Sequence, residues 1–477
     1  MYIYLCFDVE DLVHPDSDDI PRDIATMLAD DGIVASMYVV GEKARLWERR
    51  GRWDVIGEVA QHDVGLHTDH HSVHPTASEY LADKGWDDGV AEALRQEGPA
   101  ADDLARLFGQ YPSSWATSGS SWAPQIPAAT RRLGLPANVY SHARAGEGGA
   151  CWYAGQLCYS DTFGIRGGEN TYCDDAVFAA ALPDLLAQIE ETRRRGMTCL
   201  GLFGAHPTRL RYTVFWDVLN FFRGQNTPEA EYQYAPRRTD AEYATALRNL
   251  RRMVAAVRGL PGVEIISTRR LNSLFAEEGG PVAWSALRLL AEAVLSNKGI
   301  AAGYTVEGAG CAFSAAAALD LLARAIVRLA DEGTRPGYLL ARSVRGPGEQ
   351  APDLPRSFLM GRRAFVDLCR DLADLIGANG QLPAALLLDK VPIGPGALLK
   401  ACAATYLAWE GSHDGALVEL APAPGEPDGA AALAQAGIYD KLPAWPPHRP
   451  NLRLDLLALH TRLQCWSLRP AELRGGR

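Results

Sequence analysis

Short apolar runs alternate with amphipathic stretches along the chain up to about residue 275. The apolar runs are continuous, which is typical of strands buried on both faces of a parallel sheet. They predict strands at 2–8, 34–40, 64–66, 137–141, 152–159, 197–203 and 262–267. The amphipathic stretches predict helices at 23–31, 53–61, 89–109, 126–134, 182–195 and 239–257. Alternating strands and helices indicate an α/β fold with helices covering a parallel sheet.

Polar or small residues stand at the carboxyl ends of several of these runs. Asp8, Gly41, His67 and His206 each end or follow an apolar run. When α/β units close into a barrel, the carboxyl ends of the strands form the catalytic face. We therefore expect these residues to share one end of the sheet.

A second region begins at residues 277–283, which we interpret as a linker. The 477-residue chain is longer than one hydrophobic core usually serves, so we predict two domains, at 1–278 and 284–477. The second region is rich in Ala and Leu with helical periodicity, and it shows no catalytic cluster and no clear internal repeat. We expect a mainly α-helical domain. Its role is open among scaffold, lid and oligomerisation module, and we favour binding of a substrate or partner.

Charge and composition limit the classes of partner and the cellular locations that the sequence allows. The net charge of −11 disfavours nucleic acid, because an acidic surface repels phosphates. The first residues lack the basic start of a signal peptide, and no uncharged apolar run reaches the length of about 18 residues that a membrane span needs. The 9 cysteines are scattered without a Cys-x-x-Cys pair, which favours a reducing compartment. A cytoplasmic location is expected, and an oligomer stays open.

Histidines cluster in GLHTDHHSVHP, residues 65–75. His67 and His71 are four residues apart, and so are His70 and His74. In a helical turn this spacing aims two imidazoles at one point. Two neutral imidazoles and one carboxylate form an open three-ligand site for zinc or a related divalent metal. The cluster therefore predicts a metal site, although spacing does not choose between the two pairs.

Carboxylates crowd the end of the first strand in FDVED, residues 7–11. The start of a helix would explain one acidic residue, whereas a metal ion explains three because it relieves their mutual repulsion. Later, His206 ends an apolar strand in LFGAHP. A lone histidine at a strand end is more often structural, so His206 gains interest only beside the other two segments.

Taken together, the three segments resemble the polysaccharide deacetylase family, also called the NodB-homology or carbohydrate esterase family 4 group. The likeness covers about residues 2–275. FDVED stands where the acidic motif of that family follows the first strand, and GIVASMYVVGE (32–42) is similar to its next strand. His67-Thr68-Asp69-His70-His71 matches the family's His-Ser/Thr-x-x-His, and His206 matches its late histidine.

The resemblance implies a distorted (β/α) barrel of seven or so strands and a role for each matching residue. Asp8 would be the general base and His206 the general acid. Glu10 would bind the metal with His67 and His71, with Asp11 as the competing carboxylate. The metal would be a divalent ion, and the ligand types favour Zn²⁺.

The chain departs from the family in two places. Asp-Val-Glu-Asp replaces the usual adjacent aspartates, which leaves the carboxylate ligand open. The family's Arg-Pro-Pro loop, whose arginine orients the base, corresponds here to SSWATSGSSWAPQ (113–125), which has no arginine. We assign Trp115 to substrate binding, with Trp122 as a second wall of the pocket or a core residue. Asp161 is a candidate for part of the arginine's position.

The expected function is metal-dependent removal of an acyl group, such as acetyl, from an amide nitrogen of an amino sugar or glycan precursor. One alternative is hydrolysis of a non-sugar C–N bond in a cyclic amide or ureide. The other is a catalytically inactive carbohydrate-binding module. The intact set of Asp8, His67, His71 and His206 argues against the inactive module.

Overall fold

The computed structural model describes residues 1–144, 149–160, 162–277, 279–306, 312–332, 337–411, 417–442, 445–447 and 451–474. The strands are β1 (Tyr2–Val9), β2 (Ser36–Val39), β3 (Asp63–Leu66), β4 (Trp115–Ala116), β5 (Ala137–Val139), β6 (Ala150–Tyr153), β7 (Gln156–Tyr159), β8 (Thr162–Gly164), β9 (Cys199–Ala205), β10 (Glu264–Ile266), β11 (Pro281–Ala283), β12 (Tyr304–Thr305), β13 (Ala312–Phe313), β14 (Tyr338–Leu340), β15 (Phe358–Met360), β16 (Leu386–Leu388), β17 (Val391–Ile393), β18 (Val418–Leu420) and β19 (Arg469–Pro470).

The helices are α1 (Asp19–Asp30), α2 (Gly41–Arg49), α3 (Trp53–Val59), α4 (Ala77–Leu81), α5 (Trp86–Phe108), α6 (Gln125–Arg132), α7 (Glu169–Tyr172), α8 (Asp175–Arg194), α9 (Pro207–Arg211), α10 (Trp216–Asn220), α11 (Asp240–Arg258), α12 (Thr268–Asn272), α13 (Trp284–Ser296), α14 (Ala315–Glu332), α15 (Arg362–Asn379), α16 (Pro395–Gly411), α17 (Ala430–Ala434) and α18 (Leu454–Gln464). Within the described ranges, none of these helices combines the length and apolar character that crossing a membrane requires.

Side chains at the helix ends explain several of these boundaries. Before α8, the Asp174 carboxylate accepts hydrogen bonds from the first free N–H groups of the helix. Before α11, Thr239 and Glu242 form a reciprocal capping box. Helix α5 ends at Gly109, whose left-handed backbone (φ 67°) suits a residue without Cβ. The alternation seen in the sequence is therefore supported by local start and stop signals.

The main sheet confirms the predicted α/β fold with a distorted barrel. Its order is β19-β6-β7-β5-β4-β3-β2-β1-β9-β8, and β10 also pairs with β1. The neighbours from β7 through β5 to β8 are parallel, as are β1 and β10, whereas β6 and β19 join antiparallel. The described part of the sheet has eleven strands rather than about seven. The additional strands are too short to give a recognisable apolar run in the sequence.

One predicted strand is a hairpin. The apolar run 152–159 contains β6 and β7, which pair antiparallel across Ala154 and Gly155. Both turn residues have positive φ, of 50° and 82°, as a tight two-residue hairpin turn requires. The run stays apolar through the turn because the whole hairpin is buried, so its pattern does not mark the reversal.

The described residues form four hydrophobic clusters, and the two largest hold most of the chain together. The larger lies between the main sheet and its helices, and it also takes in Ala430, Ile438, Leu457 and Leu468. The second is formed by residues of 282–420 with Trp466. Helices α17 and α18 thus pack on the first core, and β19 joins its sheet. The division into 1–278 and 284–477 stays a prediction.

The described elements of the C-terminal region repeat in their order, although its sequence shows no clear internal repeat. β11, α13, the β12–β13 hairpin, α14 and β14 form one unit; β15, α15, the β16–β17 hairpin, α16 and β18 form the other. The outer strands of each unit pair antiparallel. Helix α13 packs on α16 and α14 on α15, as two units related by a local two-fold would. Equivalent positions keep their apolar character rather than their identity, which hides the repeat in the sequence.

Candidate metal centre

The acidic residues at the end of β1 and just after it face in two directions. Asp8 and Glu10 are buried at the carboxyl end of the sheet, where His206 follows the neighbouring strand β9 and His67 follows β3, two strands away on the other side. Asp11 turns back on its own chain, where it accepts hydrogen bonds from the N–H groups of Val13 (2.9 Å) and His14 (3.0 Å). Its oxygens are therefore occupied by local donors, and Glu10 is the carboxylate that reaches the histidines.

His67 and His71 lie on a tight turn, not on the helical turn that their spacing suggested. Thr68 (φ 61°) and His71 (φ 52°) both adopt the left-handed backbone conformation. The Thr68 hydroxyl accepts a hydrogen bond from the His71 N–H (2.9 Å) and closes the turn. The two imidazole ring centres end 5.0 Å apart. The spacing of the pair therefore works through a different local structure.

The Nδ1 atoms of both imidazoles have fixed partners. His67 Nδ1 lies 3.2 Å from the carbonyl oxygen of Ala116, and His71 Nδ1 lies 2.7 Å from Ser72 Oγ. A carbonyl can only accept, so Nδ1 of His67 carries the proton. This arrangement leaves Nε2 of each ring facing Glu10 Oε2, at 3.5 Å for His67 and 2.9 Å for His71.

Glu10 is held on both oxygens. Trp216 Nε1 donates to Oε1 at 3.3 Å, while Oε2 faces the histidines. Burial opposes ionisation of this carboxyl, but His71, His206 and His67 outweigh burial and hold the pKa of Glu10 well below its usual range. Glu10 is therefore an anion, ready to bind a cation.

The donor set fits a divalent metal of the zinc type. One ligand atom from each of Glu10, His67 and His71 lies within 4.8 Å of the others, and all three residues are buried. Two imidazole nitrogens and one carboxylate oxygen are the ligands of catalytic zinc sites that keep a position open. Asp8, Glu10 and His206 form a second convergent group. His206 differs from the other two histidines in exposure, because about a quarter of its side chain is accessible to solvent.

The other two histidines of the cluster point elsewhere. His70 is about half exposed, and its Nε2 lies 3.5 Å from Asp69. His74 Nδ1 contacts Glu79 at 2.7 Å, and its Nε2 lies 3.0 Å from the carbonyl oxygen of Phe221. The structure thus brings His67 and His71 to the carboxylates and uses His74 to fix a loop.

Asp8 lies beside the ligand group and is oriented by a tyrosine. The Tyr140 hydroxyl donates to Asp8 Oδ1 at 2.9 Å. Asp8 Oδ2 is then 3.7 Å from His67 Nε2 and 3.8 Å from His206 Nε2. Burial raises the pKa of Asp8, and the two histidines offset part of this rise. A carboxylate with a raised pKa is a better proton acceptor.

His206 forms a pair with Glu169. Glu169 Oε1 lies 2.7 Å from His206 Nδ1 and accepts the His206 backbone N–H at 2.9 Å. Burial alone lowers the pKa of His206, but Glu10, Glu169 and Asp8 raise it to about 10 in the metal-free protein. The same pairing outweighs burial at Glu169 and lowers its pKa to about 2. The imidazolium is the form that can give a proton to a leaving group.

The two tryptophans of the 113–125 loop lie outside this group. Trp115 is fully buried in the larger core, where its Nε1 donates to Glu97 at 2.9 Å. Trp122 is also fully buried, with its ring near His142 and Tyr153. A contact of Trp115 with substrate stays a prediction. Asp161, the residue considered for the arginine's position, lies outside the described residues.

Sequence reasoning missed Tyr140 and Glu169. Tyr140 follows β5, so the rule that polar residues at strand ends share one face could have found it. Its left-handed backbone (φ 56°) aims it at Asp8, and nothing in the sequence predicts that conformation. Glu169 follows Gly167 and Gly168, both with positive φ. This glycine pair signals a tight turn, but only the fold shows that the turn delivers a carboxylate to His206.

Comparison with known proteins gives distant structural likenesses. No protein-family model and no curated protein matches the chain. A putative polysaccharide deacetylase from Mycobacterium smegmatis has 12% identity and a TM-score of 0.35, covering 57% of this chain and 88% of its own. The Puue allantoinase has 12% identity and a TM-score of 0.36, with coverages of 57% and 89%. The 4-alpha-glucanotransferase from Thermococcus litoralis has 11% identity and a TM-score of 0.37, with coverages of 57% and 40%.

These three proteins carry the names of different activities. At such low identity and TM-score, the likenesses favour none of the three for this chain. The arrangement of side chains at the mouth of the barrel is therefore what supports a function.

Proposed function

We propose that this protein is a metal-dependent hydrolase that removes an acyl group from an amide nitrogen, with an N-acylated amino sugar as substrate. The observation that carries the proposal is the meeting of a ligand set (Glu10, His67, His71) with a base (Asp8) and an acid (His206) in one buried site. Amide hydrolysis needs this combination, because water must lose a proton and the leaving nitrogen must gain one.

Glu10, His67 and His71 would hold the metal, most plausibly Zn²⁺ by ligand type. When bound, the ion supplies a Lewis acid that polarises the carbonyl and lowers the pKa of the attacking water. Asp8 accepts the proton of that water on Oδ2, because the Tyr140 hydroxyl occupies Oδ1. The water oxygen bonds to the carbonyl carbon, and the C–N bond then breaks.

His206 completes the reaction by giving its Nε2 proton to the departing nitrogen. Glu169 holds the opposite ring nitrogen at 2.7 Å, so the proton that is transferred lies on the side of the barrel mouth. The products are a carboxylic acid and a free amine. In this scheme the site excludes no particular acyl group, and we take acetyl as the acyl group to be tested.

The test combines metal content with a substrate panel. We expect the purified chain to bind about one equivalent of Zn²⁺ by elemental analysis and to release acetate from N-acetylated amino sugars. Ring opening of small cyclic amides or ureides without acetate release would instead favour the alternative hydrolase. A protein that binds no divalent ion, or whose metal-free form keeps full activity, would overturn the proposal.

A matched variant pair sharpens this test. His71→Ala removes a ligand, whereas His70→Ala removes an exposed neighbour on the same turn. We expect the first to lose metal and activity together and the second to keep both. The cytoplasmic location expected from the sequence stays a prediction, which cell fractionation can test.

A further inference from the structure

A tryptophan from the C-terminal part of the chain reaches the candidate metal centre. Trp445 Nε1 donates to Asp217 Oδ2 at 3.1 Å, across 228 positions of sequence. The carbonyl oxygen of Trp445 accepts hydrogen bonds from Ser120 N–H (2.9 Å) and Ser120 Oγ (2.6 Å). Its ring centre lies 5.3 Å from that of Phe222. Trp445 is therefore held at three points. The loop after β4 binds its backbone carbonyl, Asp217 of α10 binds its indole N–H, and the Phe222 ring packs near its indole.

The loop after β4 is shaped to receive this tryptophan. Gly119 has φ 53°, and a Cβ built there would lie 2.8 Å from the carbonyl oxygen of Trp445 and 2.4 Å from Pro446 Cδ. Only a glycine permits such a close approach of the two backbones. The contact thus depends on residues of both the barrel loop and the C-terminal segment.

Asp217 links Trp445 to a metal-ligand histidine. The Ser72 hydroxyl donates to Asp217 Oδ2 at 2.7 Å, and Ser72 Oγ lies 2.7 Å from His71 Nδ1. An indole N–H can only donate, so Oδ2 is an acceptor for both Trp445 and Ser72. With its own hydrogen committed to Asp217, the Ser72 oxygen accepts the hydrogen of His71 Nδ1. These hydrogen bonds form a relay in which His71 donates to Ser72 and Ser72 donates to Asp217.

The direction of this relay determines which nitrogen of His71 can bind a metal. When Nδ1 carries the proton, the lone pair lies on Nε2, which faces Glu10 at 2.9 Å. If the Ser72 hydroxyl instead donated to Nδ1, the proton would move to Nε2 and block the ligand position. Asp217 Oδ2 accepts from Trp445 and has no hydrogen to give, so the hydrogen of the Ser72 hydroxyl stays directed at Asp217 and this reversal is prevented. Asp217 Oδ1 is buried without a hydrogen bond from any described residue, so Oδ2 carries the whole interaction.

We propose that Trp445 is a positioning residue of the metal centre, which acts through Asp217 and Ser72 to hold His71 in its metal-binding tautomer. The inference rests on the proposed function only in requiring that the site binds a divalent metal. It gives the C-terminal segment a part in the chemistry of the barrel, since the metal centre is complete only when this segment is docked.

The experiment measures Zn²⁺ affinity by competition with a chelator, together with the visible spectrum of the Co²⁺ form. Removing partners of metal ligands usually weakens metal binding by about 10- to 100-fold, and we expect a loss of that size for Ser72→Ala. Trp445→Phe, which removes the indole N–H together with part of the aromatic ring system, should lose about 3- to 10-fold because it acts one partner further away. Both variants should shift the Co²⁺ spectrum.

A double variant separates the relay from a general loss of structure. If Trp445 acts through Ser72, adding Trp445→Phe to Ser72→Ala should cause no further loss, because coupled residues are not additive. Trp466→Phe is the matched control, since its Nε1 also donates one hydrogen bond, to the carbonyl of Gly425, in the C-terminal part. We expect Trp466→Phe to leave Zn²⁺ affinity unchanged.

Several results would overturn the inference. Unchanged affinity in Trp445→Phe, additive losses in the double variant, or an equal loss in Trp466→Phe would each exclude the relay. If Trp445→Phe is less stable than Trp466→Phe, Asp217→Asn takes its place, and unchanged affinity there also excludes the relay. A wild-type protein that binds no Zn²⁺ is a different result, because it contradicts the proposed function itself.

Discussion

The barrel mouth and the repeated C-terminal unit bury very different side chains. At the mouth, Asp8, Glu10, His67 and His71 are buried together, and the Glu169–His206 pair lies beside them with a quarter of the His206 side chain exposed. In the described parts of 282–420, the buried polar or charged side chains are Ser314, Asp320 and Thr405. Burying charge is costly unless the charges are paired or bind a metal. The barrel therefore contains the side chains on which the proposed chemistry depends, whereas the described part of the repeated unit buries mostly apolar side chains.

Replacing the base should give the largest effect on activity. Asp8→Asn keeps the shape of the side chain and removes the proton acceptor, so kcat should fall by about 10²- to 10⁴-fold. Metal content should stay near that of the wild type, because Asp8 is outside the proposed ligand set. The measurement is kcat with elemental analysis of the same sample.

The same variant tests the electrostatics of the mouth. Since burial raises the pKa of Asp8, its ionised form destabilises the metal-free fold at pH values above that pKa. Metal-free Asp8→Asn should therefore unfold at the same temperature as the wild type at pH 7, or at a higher one. A clear drop in Tm would show that the carboxylate is structural, against the contrast between the two regions.

Large-to-small changes in the repeated unit should act on stability alone. Leu319 and Leu399 are fully buried in the second core, one in each unit. Leu319→Ala and Leu399→Ala should each lower the free energy of unfolding by about 2–5 kcal/mol. We expect kcat of the folded fraction to be unchanged, as measured below the unfolding temperature. A loss of kcat at full folding would contradict the division of roles.

Removing the hydroxyl that orients the base should have a moderate effect. Tyr140→Phe deletes the hydrogen bond to Asp8 Oδ1, so we expect kcat to fall by about tenfold, which corresponds to about 1.4 kcal/mol. KM should change little, because the hydroxyl does not reach the substrate in the proposed scheme. Tyr153→Phe, which removes a buried hydroxyl bonded to the carbonyl of Thr461, is the matched control.

The smallest effect is expected from replacing Glu169, which contacts the proposed acid His206. The effect is a shift in the pH dependence of activity. Activity should fall as pH rises through the pKa of His206, which must be protonated to donate. Glu169 raises that pKa, so Glu169→Gln should move the alkaline limb of kcat/KM to lower pH. The pKa of Glu169 is about 2, so its own titration adds no limb between pH 5 and 10. An unmoved alkaline limb would remove His206 from the role of acid.

The residues that sequence could predict are those whose position follows from one strand. Asp8, Glu10, His67 and His206 stand at or just after strand ends, and the parallel arrangement of β1, β3 and β9 brings them to one edge. The fold class followed from continuous apolar runs in the same way. In both cases the signal lies within a few residues of the feature that it predicts.

The features that escaped prediction depend on distant segments or on unusual backbone angles. Asp217 and Trp445 reach His71 only through tertiary packing, so no local pattern marks them. Tyr140 meets Asp8 through a left-handed residue that propensities disfavour. The Glu10–Asp11 choice also required the structure, because both carboxylates follow the same strand and only local donors separate them.

Strand β19 brings the end of the described chain back to the edge of the main sheet. It lies near residue 470, yet it covers β6, which would otherwise present unpaired N–H and C=O groups at the margin of the barrel sheet. Such an open strand invites pairing with other molecules. A protein cut at the predicted linker near 278 would therefore bare this strand along with the apolar surface under α17 and α18. We expect residues 1–278 to aggregate when produced alone, so experiments on the barrel require that β19 is kept with it.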